Sequence, residues 1–437
     1  MSMFRRALPA SVDLLALHCR HPDRYPFLLQ SVASHTLAGR YDLLLAFPGE
    51  AIEARAGEGD FFSRLDAAAA ALGPLATTEL PYAGGWFLLL GYEAARWVEP
   101  RLSLPDSPHA LPDALAVRCP AAVIVDRITG IAHLVAESSE AMLATMLADV
   151  DALPDAHCGT LPESLSFDED DAGAFLGSIE RLHRYLGDGD IFQANLSRRW
   201  TARYAQPVDP ATLYARLRAS NPAPFAGLAR WAGSAVVSSS PERLIEIVGD
   251  LAQTRPIAGT IARGGHDDAI DRERLIGSLK ERAEHVMLID LERNDLGRIA
   301  VPGTVEVSEL MTVESYAHVH HIVSNVRCRL RPGTGPGAAL RAVFPGGTIT
   351  GAPKVRAMEI IAEQEAVGRG PYTGAMGYLS RCGRLDTNIL IRTLVVEGNT
   401  VSFRAGAGIV ADSQPLAELA ETRAKARGLL LALGIER

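Results

Sequence analysis

The chain has 437 residues, 48% of them hydrophobic and 22% charged, with a formal net charge of −9. Acidity without any Lys/Arg-rich run argues against nucleic acid or an anionic membrane as a partner. Five scattered cysteines without a C-x-x-C pair, no apolar run of bilayer length and no leader-like start predict a globular cytoplasmic protein.

In chain order, residues 1–152 mix short apolar runs (Asp42–Phe47, Trp86–Gly91, Ala121–Asp126) with helical patches at Phe61–Leu72 and Ser139–Ala152. The stretch Gly84–Glu93 is almost continuously apolar, which predicts a strand buried on both faces. Residues 153–171, LPDAHCGTLPESLSFDEDD, are rich in Pro, Ser and acid and read as a connector. Residues 172–437 open with a helix over Ala172–Leu186 and a Gly-Asp-Gly-Asp turn into a strand over Ile191–Arg199. Strands follow at Pro224–Trp231, Ser234–Ser240 and Leu244–Val248. A helix from Gly277 to about Leu291 then gives way to a polar RNDLGR turn and a β run over Ser315–Leu330. Beyond these lie a Gly/Thr-rich loop, a helix over Lys354–Glu365 and a meander of Gly374–Ser380, Asp386–Val396 and Thr400–Arg404. Strands in runs followed by helices imply an α+β fold with large, mostly antiparallel sheets.

The chemistry centres on the helix that begins at Gly277. Glu281 and Glu284 share a face at i, i+3, and Glu418 and Glu421 repeat the spacing near the C-terminus, with Lys425 one turn on. Each pair alone also suits a solvated, salt-bridged face. Two such helices together could hold a hard divalent cation through oxygen ligands and leave positions for an anionic substrate. In Ser239-Ser240-Pro241-Glu242 a carboxyl group ends an apolar strand; buried there it would be a general acid, and exposed it would be a loop residue. The loop FPGGTITGAPK is not a P-loop, because Ala352-Pro353 separate the last Gly from Lys354; it binds an anion or merely turns. Ala405-Gly406-Ala407-Gly408 suits either a carboxylate-binding nest or relief of crowding between sheets. Among His318, His320 and His321, alternation turns His321 away from the other two, and a single functional imidazole is expected.

The segments KERAEHVMLIDLERNDLGR, SSSPERL, FPGGTITGAPKVRAMEII, DTNILIRTL and AGAGIVADSQ resemble the chorismate-utilising enzymes, a family of anthranilate, aminodeoxychorismate and isochorismate/salicylate synthases. The resemblance covers 172–437. YPFLLQS, GRYDLLLA and GGWFLLLGYE extend it, less closely, to the first half. It implies two large, mostly antiparallel sheets packed as a sandwich flanked by helices, with the active site in a cleft between subdomains. It also implies an Mg²⁺-dependent enzyme in which Glu281, Glu284, Glu418 and Glu421 hold the metal, with Lys425 beside the ring carboxylate. Tyr372, Arg392 and the amides of Gly406, Ala407 and Gly408 would bind the enolpyruvyl carboxylate. Glu242 would protonate the departing hydroxyl at carbon 4, His321 and Thr348 would flank the ring, and Thr260 would lie against the substrate.

Gln193 stands where the water-using members carry a lysine, which implies ammonia as the nucleophile. FPGG, the Cys382-Gly383-x-x-Asp386-Thr387 hairpin and IVADSQ resemble the aminodeoxychorismate synthase component I branch. Ala258, where that branch typically has a nucleophilic lysine, and Thr348 resemble anthranilate synthases instead. The balance implies 4-amino-4-deoxychorismate as product, for p-aminobenzoate and folate synthesis, through a noncovalent 2-amino-2-deoxyisochorismate. Anthranilate synthase is the alternative, and a catalytically inactive chorismate or amino-acid sensor a remote one. No cysteine lies in a Gly-x-Cys-x-Gly turn, so ammonia is expected from a separate glutamine amidotransferase, with an aminodeoxychorismate lyase acting downstream. Ser31, Pro224 and Phe225 match part of the tryptophan pocket of anthranilate synthases.

Overall fold

The computed structural model describes residues 3–9, 11–32, 39–76, 78–153, 159–262, 268–315 and 319–435. His318 and the side chain of Thr260 lie outside what is described.

Two large sheets face one another, and every registered strand pair is antiparallel. The first, of 12 strands, runs from Met3–Leu8 at one edge, through Phe225–Trp231 and Ser234–Ser240, to Thr400–Ile409, Gln193–Tyr204 and the short Gly351–Ala352 at the other. The second, of 10 strands, runs from Ile257–Ala262 and Val319–Arg329, through Arg243–Val248 and Leu385–Ile389, to Gly85–Leu90 and Ala51–Ala54. Both sheets take strands from either side of residues 153–171, and Ser164–Glu169 within that stretch is itself a strand beside Gln193–Tyr204.

The layers follow from residue type. Gly85–Leu90 is buried at all six positions, as its unbroken apolar run requires. The space between the sheets is filled from both sides, with Phe27 stacked on Phe87 at 3.9 Å and Val236, Met376 and Val395 around them. The outer face of the first sheet is covered by Pro210–Ser220 and Pro415–Leu433, and that of the second by Phe61–Leu72, Pro336–Val343 and Leu279–Gly297. No helix among the described residues is long and apolar enough to cross a membrane.

Three expectations are corrected here. The RNDLGR stretch is not a turn down to its last residues, since the helix runs over Leu279–Gly297. Asp295 and Leu296 are buried in it, and the Asp295 carboxylate is paired with Lys354, so tertiary contacts carry the helix past its polar residues. The expected strand Asp386–Val396 is two strands: Leu385–Ile389 belongs to the second sheet and Thr393–Glu397 to the first. The chain crosses between the sheets at 390–392, where Arg392 takes a left-handed backbone with φ 52°. Lastly, Thr400–Ile409 is one strand, so Gly406 and Gly408 are extended and form no nest.

Candidate active site

The Ser234–Ser240 strand is buried along its whole length and delivers Glu242 to the gap between the sheets. The local chain is pinned from both sides. Ser240 Oγ donates to Ile389 O at 2.5 Å, Ile389 N donates to Glu242 O at 3.0 Å, and Glu242 N donates to Ser240 Oγ at 3.2 Å. Glu242 is 5% exposed, and burial pushes its carboxyl up to about 8. The Thr348 hydroxyl, the Ile257 amide and the Lys425 charge oppose that rise, while the neighbouring Glu292 reinforces it. Glu242 is therefore held largely as the neutral acid near pH 7.

Around it stand groups from five segments. Thr348 sits in the tight turn Gly347–Ile349, whose approach is fixed by Lys354 donating to Pro345 O at 2.7 Å. Ala258 follows the Ile257 amide that faces Glu242 and pairs with Ile322 in the second sheet. His321 is buried on that neighbouring strand, with Nδ1 3.3 Å from Gly259 O. Burial first, and then the Arg392 and Lys425 charges, hold it down near about 4, so the imidazole is neutral. Lys425 acts electrostatically on both Glu242 and His321 and donates to Gly406 O at 3.0 Å. Glu242, His321, Arg392, Lys425 and the glycine strand thus border one cleft between the sheets.

Tyr372 and Gln193 lie against the glycine strand, at Gly406 and Gly408. Tyr372 is buried, and its phenol is pushed up to about 12 by that burial. Glycine is needed at 406, where a Cβ would meet backbone, whereas at 408 it would meet only the end of the Gln193 side chain. A Cβ on Gly406 would lie 2.5 Å from Leu196 O and 2.8 Å from Tyr372 Oη, and one on Gly408 would lie 2.3 Å from Gln193 Nε2.

The four glutamates lie on two helices. Ser278 caps the first by accepting from Glu281 N at 3.3 Å, and Glu281 Oε2 would lie 2.9 Å from a Cβ on Gly259, beside the His321 wall. Glu284 lies one turn on and is half-buried. On the second helix Glu418 is buried, whereas Glu421 is exposed and paired to Lys425 at 2.7 Å. No three His, Cys, Asp or Glu side chains among the described residues gather closely enough to share an ion. In donor chemistry the four glutamates would suit a hard divalent cation, since all four offer carboxylate oxygens.

The remaining expectations fall elsewhere. Ser31, Pro224 and Phe225 line a separate cavity of about 860 Å³, which does not include Glu242. Arg243 lies over the Phe225 ring at 5.0 Å there and is forked onto Asp386 at 3.0 Å through both nitrogens. His320 is structural: Nδ1 is 2.8 Å from Ser315 Oγ. Sequence reasoning missed Arg369. Its guanidinium is buried between the rings of Tyr92 (4.8 Å) and Tyr372 (5.6 Å) and donates to Glu365 Oε1, Asn195 O and Ile349 O. The Glu365/Arg369 spacing at i, i+4 was visible, but it looks the same as a surface pair.

This arrangement is a buried acid, a neutral imidazole and cationic groups around a glycine-lined wall. The chorismate binding enzyme family matches residues 26–431. The chain belongs to that family. It is 38% identical over 462 residues to anthranilate synthase component 1 of Synechocystis sp., covering 94% of this chain and 91% of that protein. It is 37% identical over 424 residues to aminodeoxychorismate synthase component 1 of Klebsiella aerogenes, covering 93% of each. Among solved structures, anthranilate synthase component I from Streptococcus pneumoniae superposes with a TM-score of 0.81 at 30% identity, covering 91% of this chain and 93% of that one. The two-sheet α+β architecture expected from the sequence is therefore the one found.

Proposed function

We propose that this chorismate enzyme is an aminodeoxychorismate synthase component I, which makes 4-amino-4-deoxychorismate from chorismate and ammonia and releases water. The observation that carries the ammonia reading is Gln193 on the cleft wall beside Gly408, an amide that cannot deprotonate water. The Cys382-Gly383 hairpin with Asp386-Thr387, and the IVADSQ segment, favour this branch.

Tyr372, Arg392 and the glycine strand orient the enolpyruvyl carboxylate, and Lys425 faces the ring carboxylate. Glu242 gives its proton to the carbon-4 hydroxyl as ammonia adds at carbon 2, so the hydroxyl leaves as water. A second ammonia then adds at carbon 4 and the first amine departs from carbon 2, giving the product. Ala258 has no nucleophile, so the intermediate 2-amino-2-deoxyisochorismate is held noncovalently by His321, Thr348 and the carboxylate-binding groups. Mg²⁺ held by Glu281, Glu284, Glu418 and Glu421 would supply positive charge to the ring carboxylate. Ammonia would come from a separate glutamine amidotransferase, and a lyase would convert the product to p-aminobenzoate.

Ala258 and Thr348 favour a second reading, anthranilate synthase, in which the same intermediate loses pyruvate. Product analysis with chorismate, ammonium and Mg²⁺ decides. 4-Amino-4-deoxychorismate supports the proposal; anthranilate with pyruvate replaces it with the second reading; no consumption at all favours a sensor.

A further inference from the structure

Glu292 is a buried carboxyl with no part in the steps above. It lies on the helix Leu279–Gly297, 5% exposed, against the turn that carries Thr348: a Cβ on Gly347 would lie 3.5 Å from Glu292 Oε1. Lys354 holds that turn to the helix by donating to Pro345 O at 2.7 Å and pairing with Asp295. Two segments each serve both carboxyls. From the turn, the Gly347 amide faces Glu292 and the Thr348 hydroxyl faces Glu242. From the strand Leu251–Thr254 and the residues after it, the Thr254 hydroxyl faces Glu292 and the Ile257 amide faces Glu242. Glu242 and Glu292 are thus buried neighbours across one turn.

The charges around this turn do not balance. Lys354 is closed onto Asp295, and neither Glu242 nor Glu292 meets a cation at ion-pair distance among the described residues. Lys425 acts on Glu242, and Lys354 on Glu292, only from farther off. Burial first, and then the Asp295 charge, raises the Glu292 carboxyl. Two such carboxyls cannot both ionise readily, so once one has lost its proton the other keeps its own to higher pH. Lys354 favours the charged form of Glu292, and Glu242 feels that charge as a like one. We propose that Glu292 is a positioning residue for the reaction, an unpaired second carboxyl whose charge keeps Glu242 loaded with the proton it delivers. This rests on the acid role given to Glu242 above.

The pH dependence of kcat/KM for chorismate tests it, in the full chain with Mg²⁺ and with ammonium adjusted to keep free ammonia saturating at each pH. Glu292→Gln removes the charge at nearly constant shape and should move the alkaline limb to lower pH by about half a unit or more. Glu292→Asp keeps a carboxylate and should leave the limb nearer its original place. Glu292→Met also lacks the charge and serves if the glutamine variant does not fold. A limb that stays put in the neutral variants would show that Glu292 only packs against the turn, which overturns the proposal. So would a limb moved equally by Glu292→Asp and Glu292→Gln, because shape rather than charge would then be at work. An unaltered protein with no alkaline limb would overturn the acid role of Glu242 as well.

Discussion

Lys425 donates from Nζ to the carbonyl of Gly406 at 3.0 Å while its other neighbour, Glu421, stands at 2.7 Å. One ammonium thus ties the C-terminal helix to the strand that forms a wall of the cleft. An ammonium at that junction that meets a substrate carboxylate is worth about 1.5–3 kcal/mol. Lys425→Met should raise the KM for chorismate by about tenfold or more, with folding cooperativity retained. Steady-state kinetics beside thermal unfolding checks this, and an unmoved KM would take Lys425 out of substrate binding.

Glu242→Gln should keep chorismate binding and lose about a hundredfold or more in kcat, the usual worth of a positioned acid. The acid must be protonated, and its carboxyl is raised to about 8 in the free protein, so kcat/KM should fall as pH rises through about 8. The same raised value has a stability consequence. The folded state binds the proton more tightly than the unfolded one, so this group's stabilisation is full below the ordinary carboxylate range and is lost as pH climbs to about 8. In Glu242→Gln that part of the alkaline loss should vanish in pH-dependent denaturant titrations. A kcat/KM profile flat across this window in the unaltered protein would remove Glu242 from the acid role.

Chelation should abolish turnover, and added Mg²⁺ should restore it. Glu281→Gln and Glu418→Gln should each raise the Mg²⁺ concentration for half-maximal rate, by about tenfold or more. Metal titrations followed by calorimetry give a readout independent of activity. Full turnover after exhaustive chelation would take the two glutamate pairs out of metal binding.

How far the sequence speaks for the fold depends on whether a residue's neighbours are local. Ser234–Ser240 and Lys354–Glu365 were readable to the residue, because alternation and helical period are local properties. The crossing at Arg392 was not. Apolar residues stand on either side, at 389–391 and 394–396, and only the sheets decide that Ile389 and Thr393 part company. Glu306–Ser315 escaped notice because it is polar, exposed and twice bulged against its partner. Glu242 was legible as a carboxyl at a strand end, but its burial, which raises its carboxyl, and the opposing Thr348 and Ile257 bonds come from segments packed around it in three dimensions. The glutamate spacing on two helices was equally plain, while whether they share an ion is set by helix placement.

Arg369 gives the last prediction, one that no local pattern suggests. Its guanidinium is fully buried and forked onto Glu365, which also accepts from Arg404 Nη2 at 2.9 Å and Ser197 N at 2.9 Å. Those donors hold the Glu365 carboxyl low even though burial alone would raise it. Arg369→Met would leave Glu365 with one cation, Arg404, beside the Ser197 donors, and would remove the guanidinium donors from the carbonyls of Asn195 and Ile349. Breaking a buried pair from one side costs about 3–5 kcal/mol, so the midpoint of denaturant unfolding should fall sharply. Arg369→Lys should recover little of the loss, because an ammonium cannot reproduce the planar fork or the stack between Tyr92 and Tyr372. Tyr372 rests on that guanidinium, so whatever protein folds should also show a raised KM for chorismate. Near-normal stability together with normal kinetics in Arg369→Met would show that the cleft wall stands without it.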